Sequence, residues 1–134
     1  MKLLRVLLLV ALGVALLTGP SLADKKVQEF TNRAANDYLK LGLIQAGGGN
    51  DEAAAAAFQK AVSMKPNWAE ARSLLGSALM RAGKYKEAEE QLRKAVSINP
   101  NYAEGWYFLG VFLKDRGKTA EAEQAFQKAK QLAR

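Results

Sequence analysis

Cysteine and histidine are both missing from these 134 residues. Without cysteine there is no disulfide framework, so stability must come from packing, and a lipid attached through an N-terminal cysteine is excluded too. Without histidine the chain lacks the usual general base near neutral pH and the commonest metal ligand. A His-dependent triad, a zinc site of Cys/His type and a c-type haem ligand set are ruled out. Gly47-Gly48-Gly49 precedes a helical pattern but has neither the preceding strand nor the following Lys-Ser/Thr of a nucleotide-binding loop. The adjacent carboxylates Asp51 and Glu52 are accounted for as helix-start residues. No catalytic residue, metal site or cofactor is expected, and the chain reads as a non-enzyme.

Long apolar runs are scarce as well. The one candidate, Val6 to Leu17, holds about a dozen residues, short of the ~20 that span a bilayer. It follows the basic segment Met1-Lys2-Leu3-Leu4-Arg5 and precedes Gly19-Pro20-Ser21-Leu22-Ala23, which ends in small residues. Together these read as a secretory signal, residues 1–23, cut after Ala23. An exported protein is expected, periplasmic or extracellular; the competing reading keeps residues 1–23 as a membrane anchor. Loss of Lys2 and Arg5 with the leader lowers the net charge from +7 by two.

What remains is organised by a step of 34 residues. It aligns Gly42, Gly76 and Gly110; Ala54, Ala88 and Ala122; Phe58, Leu92 and Phe126; and Ala61, Ala95 and Ala129. The joints recur, with Pro66-Asn67-Trp68-Ala69-Glu70 returning as Pro100-Asn101-Tyr102-Ala103-Glu104. Each unit carries two amphipathic helical patterns around a glycine turn. The units are about 35–68, 69–102 and 103–134, preceded by a helical lead-in over 24–34 that carries Val27 and Phe30. Glycine is expected to supply the positive dihedral angles of the turns. Asn50 and Asp51 are expected to cap one helix, and Asn67 with Glu70, like Asn101 with Glu104, has capping-box spacing. Glu89–Arg93 and Glu90–Lys94 are expected as pairs four apart on one helix. Lys130 replaces Val62 and Val96 at a position facing any following unit, so the last helix is expected to cap the array with a polar face.

The period and its residues resemble the tetratricopeptide repeat, whose signature is an aromatic, then Leu-Gly, then Ala-x3-Phe, then Pro. The third unit carries Trp106, Leu109-Gly110, Ala122 and Phe126. The first has Tyr38, Leu41-Gly42, Ala54, Phe58 and Pro66, while the second puts Arg72 where the aromatic belongs. The resemblance implies an all-α solenoid of three helix-turn-helix repeats, wound as a right-handed superhelix. It further implies that the first helices of the repeats line a concave groove for a peptide or helix of a partner. Carried over by position, the lining is Asn36, Leu39, Leu43 and Ala46, then Glu70, Ser73, Ser77 and Met80, then Glu104, Tyr107, Val111 and Lys114. Some members grip a terminal carboxylate with Lys and Asn. Here those positions hold Leu39, Leu43, Leu74, Glu104 and Phe108, so that grip is not expected.

A protein-protein adaptor or scaffold of the cell envelope is the expected function, with Tyr107 as the strongest single anchor. The rival is a self-associating scaffold whose groove takes a segment of another copy, such as the lead-in around Val27 and Phe30. Arg81, Lys84 and Lys86, with Lys114, Arg116 and Lys118, form a basic edge that is read as solvated. It could meet a membrane only peripherally, and no nucleic-acid partner is expected.

Overall fold

The computed structural model describes residue 2 and residues 19–134. Most of the expected leader therefore lies outside the described residues. Among those described, no helix is long and apolar enough to cross a membrane. All regular structure among them is helical: α1 (Leu22–Gly47), α2 (Asp51–Met64), α3 (Ala69–Arg81), α4 (Tyr85–Ile98), α5 (Ala103–Asp115) and α6 (Thr119–Leu132). By contact the chain divides into residues 1–31 and 32–134. In the first part Leu22, Val27 and Phe30 are exposed.

In the second part the 34-residue step becomes a packing rule. Gly42, Gly76 and Gly110 are the points at which each first helix touches its partner. A methyl at Gly76 would lie 2.5 Å from Leu92 Cγ, one at Gly110 would lie 2.7 Å from the Phe126 ring, and one at Gly42 would run into Phe58. Only glycine lets the helices of a pair approach this closely. The alanines on the second helices, Ala54, Ala88 and Ala122, are buried to within 1%. From pair to pair, α2 packs on α3, and α5 packs on both α3 and α4. Phe58, Leu75, Leu92, Phe112 and Leu113 are the largest fully buried side chains. Leu41 carries the same signature position as Leu75 and Leu109, yet it is 43% exposed where they are 1% and 3%. Among the described residues, α3 and α5 each follow a helix pair and α1 does not.

The turns follow the same arithmetic. Gly49, Gly83 and Gly117 have φ of 77°, 80° and 77°. Each closes its helix by a 6→1 bond, donated by Asn50, Lys84 and Lys118 to the carbonyls of Gln45, Leu79 and Leu113 at 2.8–2.9 Å. This is the Schellman arrangement, which needs a left-handed residue and so favours glycine. Gly47 and Gly48 are not needed for it.

The expected N-caps are not made. Trp68 and Tyr102, not Asn67 and Asn101, occupy the N-cap positions, and neither they nor Asn50 make a side-chain cap bond. The helices start one residue later than the Asn-x-x-Glu pattern requires, so its two ends cannot reach each other's amides. A reciprocal cap does exist at Ser21 and Asp24. Asp24 N–H donates to Ser21 Oγ at 3.2 Å, and Ser21 N–H donates to Asp24 Oδ2 at 3.0 Å. The Ser21 hydroxyl and amide hold the Asp24 carboxyl below its usual range.

Candidate functional site

The expected groove residues fall into three groups. Leu39 and Ser73 are taken into the core, at 9% and 0% exposure, and are not surface lining. Their position faces the next first helix: the Ser73 hydroxyl donates to Ala69 O at 3.0 Å, and the space beside it is filled by Gly105. The second group is exposed or partly so. Asn36, Leu43 and Lys114 are exposed, while Ser77, Met80 and Val111 are half-buried. Leu43, Ser77 and Val111 stand 34 apart on α1, α3 and α5, and Ala46, Met80 and Lys114 do the same one turn later. Those two rows are apolar or small apart from Lys114, and two turns earlier Asn36, Glu70 and Glu104 form an exposed polar row on the same helices.

Tyr107 forms the third group. It shares its register with Leu39 and Ser73, but it is 54% exposed. Its ring lies 5.7 Å from that of Phe126 and 6.1 Å from that of Phe108. Together with Ala103, Glu104, Phe126, Ala129, Lys130 and Ala133 it lines an open hollow of about 430 Å³ between α5 and α6. The last pair therefore does not close itself with a polar face: an aromatic and alanine floor is left open, and Lys130 stands at its wall.

The sequence reading missed what Arg72 does. It makes the bond that the aromatic makes elsewhere: Arg72 Nε donates to Pro66 O at 2.8 Å, as Trp106 Nε1 donates to Pro100 O at 2.8 Å. A second donor, Arg72 Nη1, reaches Gln91 Oε1 at 2.7 Å. The departure thus keeps the bond that ties the helix to its proline joint. A planar N–H donor 34 residues before a Trp, each six residues after a proline, was the available signal.

Electrostatics of the basic edge are also more local than expected. Arg81 Nε lies 2.8 Å from Asp51 Oδ1, an ion pair out of hydrogen-bond alignment. The Arg116 guanidinium stacks 3.9 Å over the Tyr85 ring, and Lys118 reaches Glu89 at 3.3 Å. The expected pairs Glu89–Arg93 and Glu90–Lys94 form at 2.8 and 3.3 Å, and Arg93 also bridges to Glu121 of the next pair at 2.8 Å. Burial pushes the Glu89 carboxyl up, but hydrogen bonds from Arg93 and Lys118 outweigh it and hold it below the usual range. Tyr102, half-buried and near Glu70 and Glu104, is pushed up to about 12 by loss of solvation. Among the described residues no three acidic side chains gather into a cation site.

Comparison with known proteins places this architecture. Two family models, each described as the tetratricopeptide repeat, match residues 73–134 and 48–96. No curated protein matches the chain. Among solved structures, the crystal structure of MamA is 27% identical, with TM-score 0.66 over 77% of this chain. The match spans 60% of the MamA chain. The second such domain of Spaghetti (RPAP3), solved bound to the HSP90 peptide SRMEEVD, is 21% identical with TM-score 0.73, covering 80% of this chain and 98% of that one. The Sgt2 domain from Aspergillus fumigatus is 20% identical with TM-score 0.71, covering 74% and 66%. The latter two identities carry the fold alone.

Proposed function

From a chain whose residues 48–134 are tetratricopeptide repeats, we propose a non-catalytic adaptor that holds an extended or helical segment of another protein along the inner faces of α1, α3 and α5. The observation that carries it is the register of Leu43, Ser77 and Val111, backed by Met80. These side chains stay exposed or half-buried on helices that bury Leu39, Leu75 and Leu109 elsewhere on their surfaces. Partly exposed apolar side chains lined up at a fixed step suit the alternate side chains of a bound segment. Similar domains are solved with HSP90 and Hsp70 ligands, which supports segment binding as the general mode. The acidic peptide SRMEEVD is a poor guide to this ligand, because Leu43, Leu74, Glu104 and Phe108 offer no cations to its carboxylates. The segment is instead apolar, with a cationic group favoured near Asn36 and Glu70 and an anionic one near Lys114.

The setting we propose is the cell envelope, reached through the leader over residues 1–23. N-terminal sequencing of the chain recovered from fractionated cells checks this: a start at Asp24 outside the cytoplasm supports it, and an intact cytosolic chain refutes it. The groove is tested by screening immobilised chain against a peptide array. Val111→Glu and Met80→Glu should each weaken the bound peptides by more than ~1 kcal/mol, the scale of an anchor position. Lys86→Ala, away from this line, should leave them unchanged. Equal binding by all three variants would remove the groove from the mechanism.

A further inference from the structure

The hollow at α5 and α6 has a counterpart inside the molecule. Shifted back by 34 residues, five of its seven lining positions become Ala69, Ser73, Leu92, Ala95 and Val96, all buried at 8% or less, while the other two, Glu70 and Asn99, are exposed at the rim. That inner surface is the seat of α5. A methyl on Gly105 would sit 3.3 Å from Ser73 Oγ and 3.5 Å from Val96 Cγ1, so residue 105 is a point of close approach between the seated helix and its seat. Tyr107 and Lys130 take the places of Ser73 and Val96 in the open hollow. The hollow therefore has the register of a seat for one more first helix, which the exposed Tyr107 ring must turn aside to admit.

A helix that fits such a seat is present in the same chain. The seated residues Gly105, Leu109 and Phe112 correspond, two steps earlier, to Asp37, Leu41 and Ile44 of α1. Leu109 and Phe112 are buried at 3% and 1%, whereas Leu41 and Ile44 are exposed at 43% and 71%. At that approach one opposite-charge pair links the two ends. Where the internal joint sets uncharged Gly105 against uncharged Val96, the two outer surfaces carry Asp37 and Lys130. Glu104 also lines the hollow, so a seated Asp37 meets one like charge there as well as Lys130.

We propose that the chain associates head to tail with a second copy, α1 of one copy seating in the α5/α6 hollow of the next with Asp37 beside Lys130. Such a contact joins two different surfaces, so each copy retains a free end and the assembly can grow. The two buried apolar ends supply the attraction, and the single charge pair fixes the register. This surface shares only Glu104 with the groove, and assembly is read by mass and crosslinking, independently of peptide capture.

Sedimentation of the full chain over a range of concentrations should show mass rising with concentration, less so at high salt. Lys130→Glu should raise the apparent dissociation constant about tenfold or more by opposing two carboxylates, and adding Asp37→Lys should restore it. Because the chain has no cysteine, crosslinking is unambiguous. Oxidised mixtures of Asp37→Cys chain and Lys130→Cys chain should form mixed dimers, while Asp37→Cys chain alone should form few. A mass independent of concentration overturns the proposal. So does association indifferent to Lys130→Glu, which would trace to the apolar N-terminal segment, to the groove or to a neighbouring segment filling the hollow. Circular dichroism confirms that the exposed substitutions leave the helices intact.

Discussion

A methyl group at Gly76 would press on Leu92 Cγ at 2.5 Å, and Leu92 is fully enclosed. Gly76→Ala therefore trades a gain in helix propensity of about 1 kcal/mol against overpacking of about 1–3 kcal/mol. We expect a net loss, read as a lower urea midpoint with unchanged slope. Phe58→Ala should cost more, about 3–5 kcal/mol, since it empties a site exposed to only 1%. Arg72→Trp should be nearly neutral, because the indole N–H of Trp106 already shows that this side chain reaches the equivalent proline carbonyl. Arg72→Ala leaves Pro66 O without that donor and should lower the midpoint. The 34-residue alignment exposed all of these positions except the role of Arg72. A propensity or motif view sees a missing aromatic; the hydrogen bond depends on where the guanidinium can reach in space.

Among the elements, the turns are where sequence and backbone agree best. Gly83 sits at φ 80° with open space around its Cα, so a side chain there meets no neighbour and the cost of Gly83→Ala is conformational alone, roughly 1–2 kcal/mol. The same substitution at Gly47, within α1, should be neutral or slightly stabilising; thermal melts of the two variants separate these roles. Glycine announces itself because only it takes that angle without penalty. The helix starts were less legible. Asn-x-x-Glu after a proline satisfies the spacing of a capping box, but the Pro-Asn turn delays the helix by one residue and leaves Trp68 and Tyr102 at the cap. The reciprocal cap at Ser21 and Asp24 spans the expected cut after Ala23. If the leader is removed there, the first turn of α1 loses its cap, and amides near Lys25 should exchange faster than in the uncut chain.

For the molecule as a whole, two ionisable groups within the packed pairs link stability to pH. Glu89 is held below the usual range by Arg93 and Lys118, and glutamate in an unfolded chain titrates near 4.3. Its contribution is complete above that value and is lost as pH falls through the lower folded one. Melting temperature should therefore drop more steeply below about pH 4.3 in the native chain than in Glu89→Gln. Tyr102 works in the other direction. Raised to about 12 from about 10, it stabilises fully below the lower value and loses that contribution as pH climbs through the interval. Tyr102→Phe should flatten the alkaline loss of stability. The Lys118 contact to Glu89 ties α4 to the start of α6, so protonating Glu89 should loosen these two pairs from each other before single helices unwind. Exchange rates at α4 and α6 against pH would follow this.

The sequence alone determined the helical class, the 34-residue step, the glycine contacts and turns, and the exclusion of cysteine and histidine chemistry. Each of these depends on a residue's own backbone freedom, volume or reactive group, which its identity carries with it. The tertiary structure decided which equivalent positions face a neighbour. Leu39 and Ser73 are buried and Tyr107 is half open although all three hold the same place in the repeat, and Leu41 is exposed where Leu75 and Leu109 are not. Periodicity makes such positions alike, but burial depends on what lies across from them, and that changes from one end of a stack to the other.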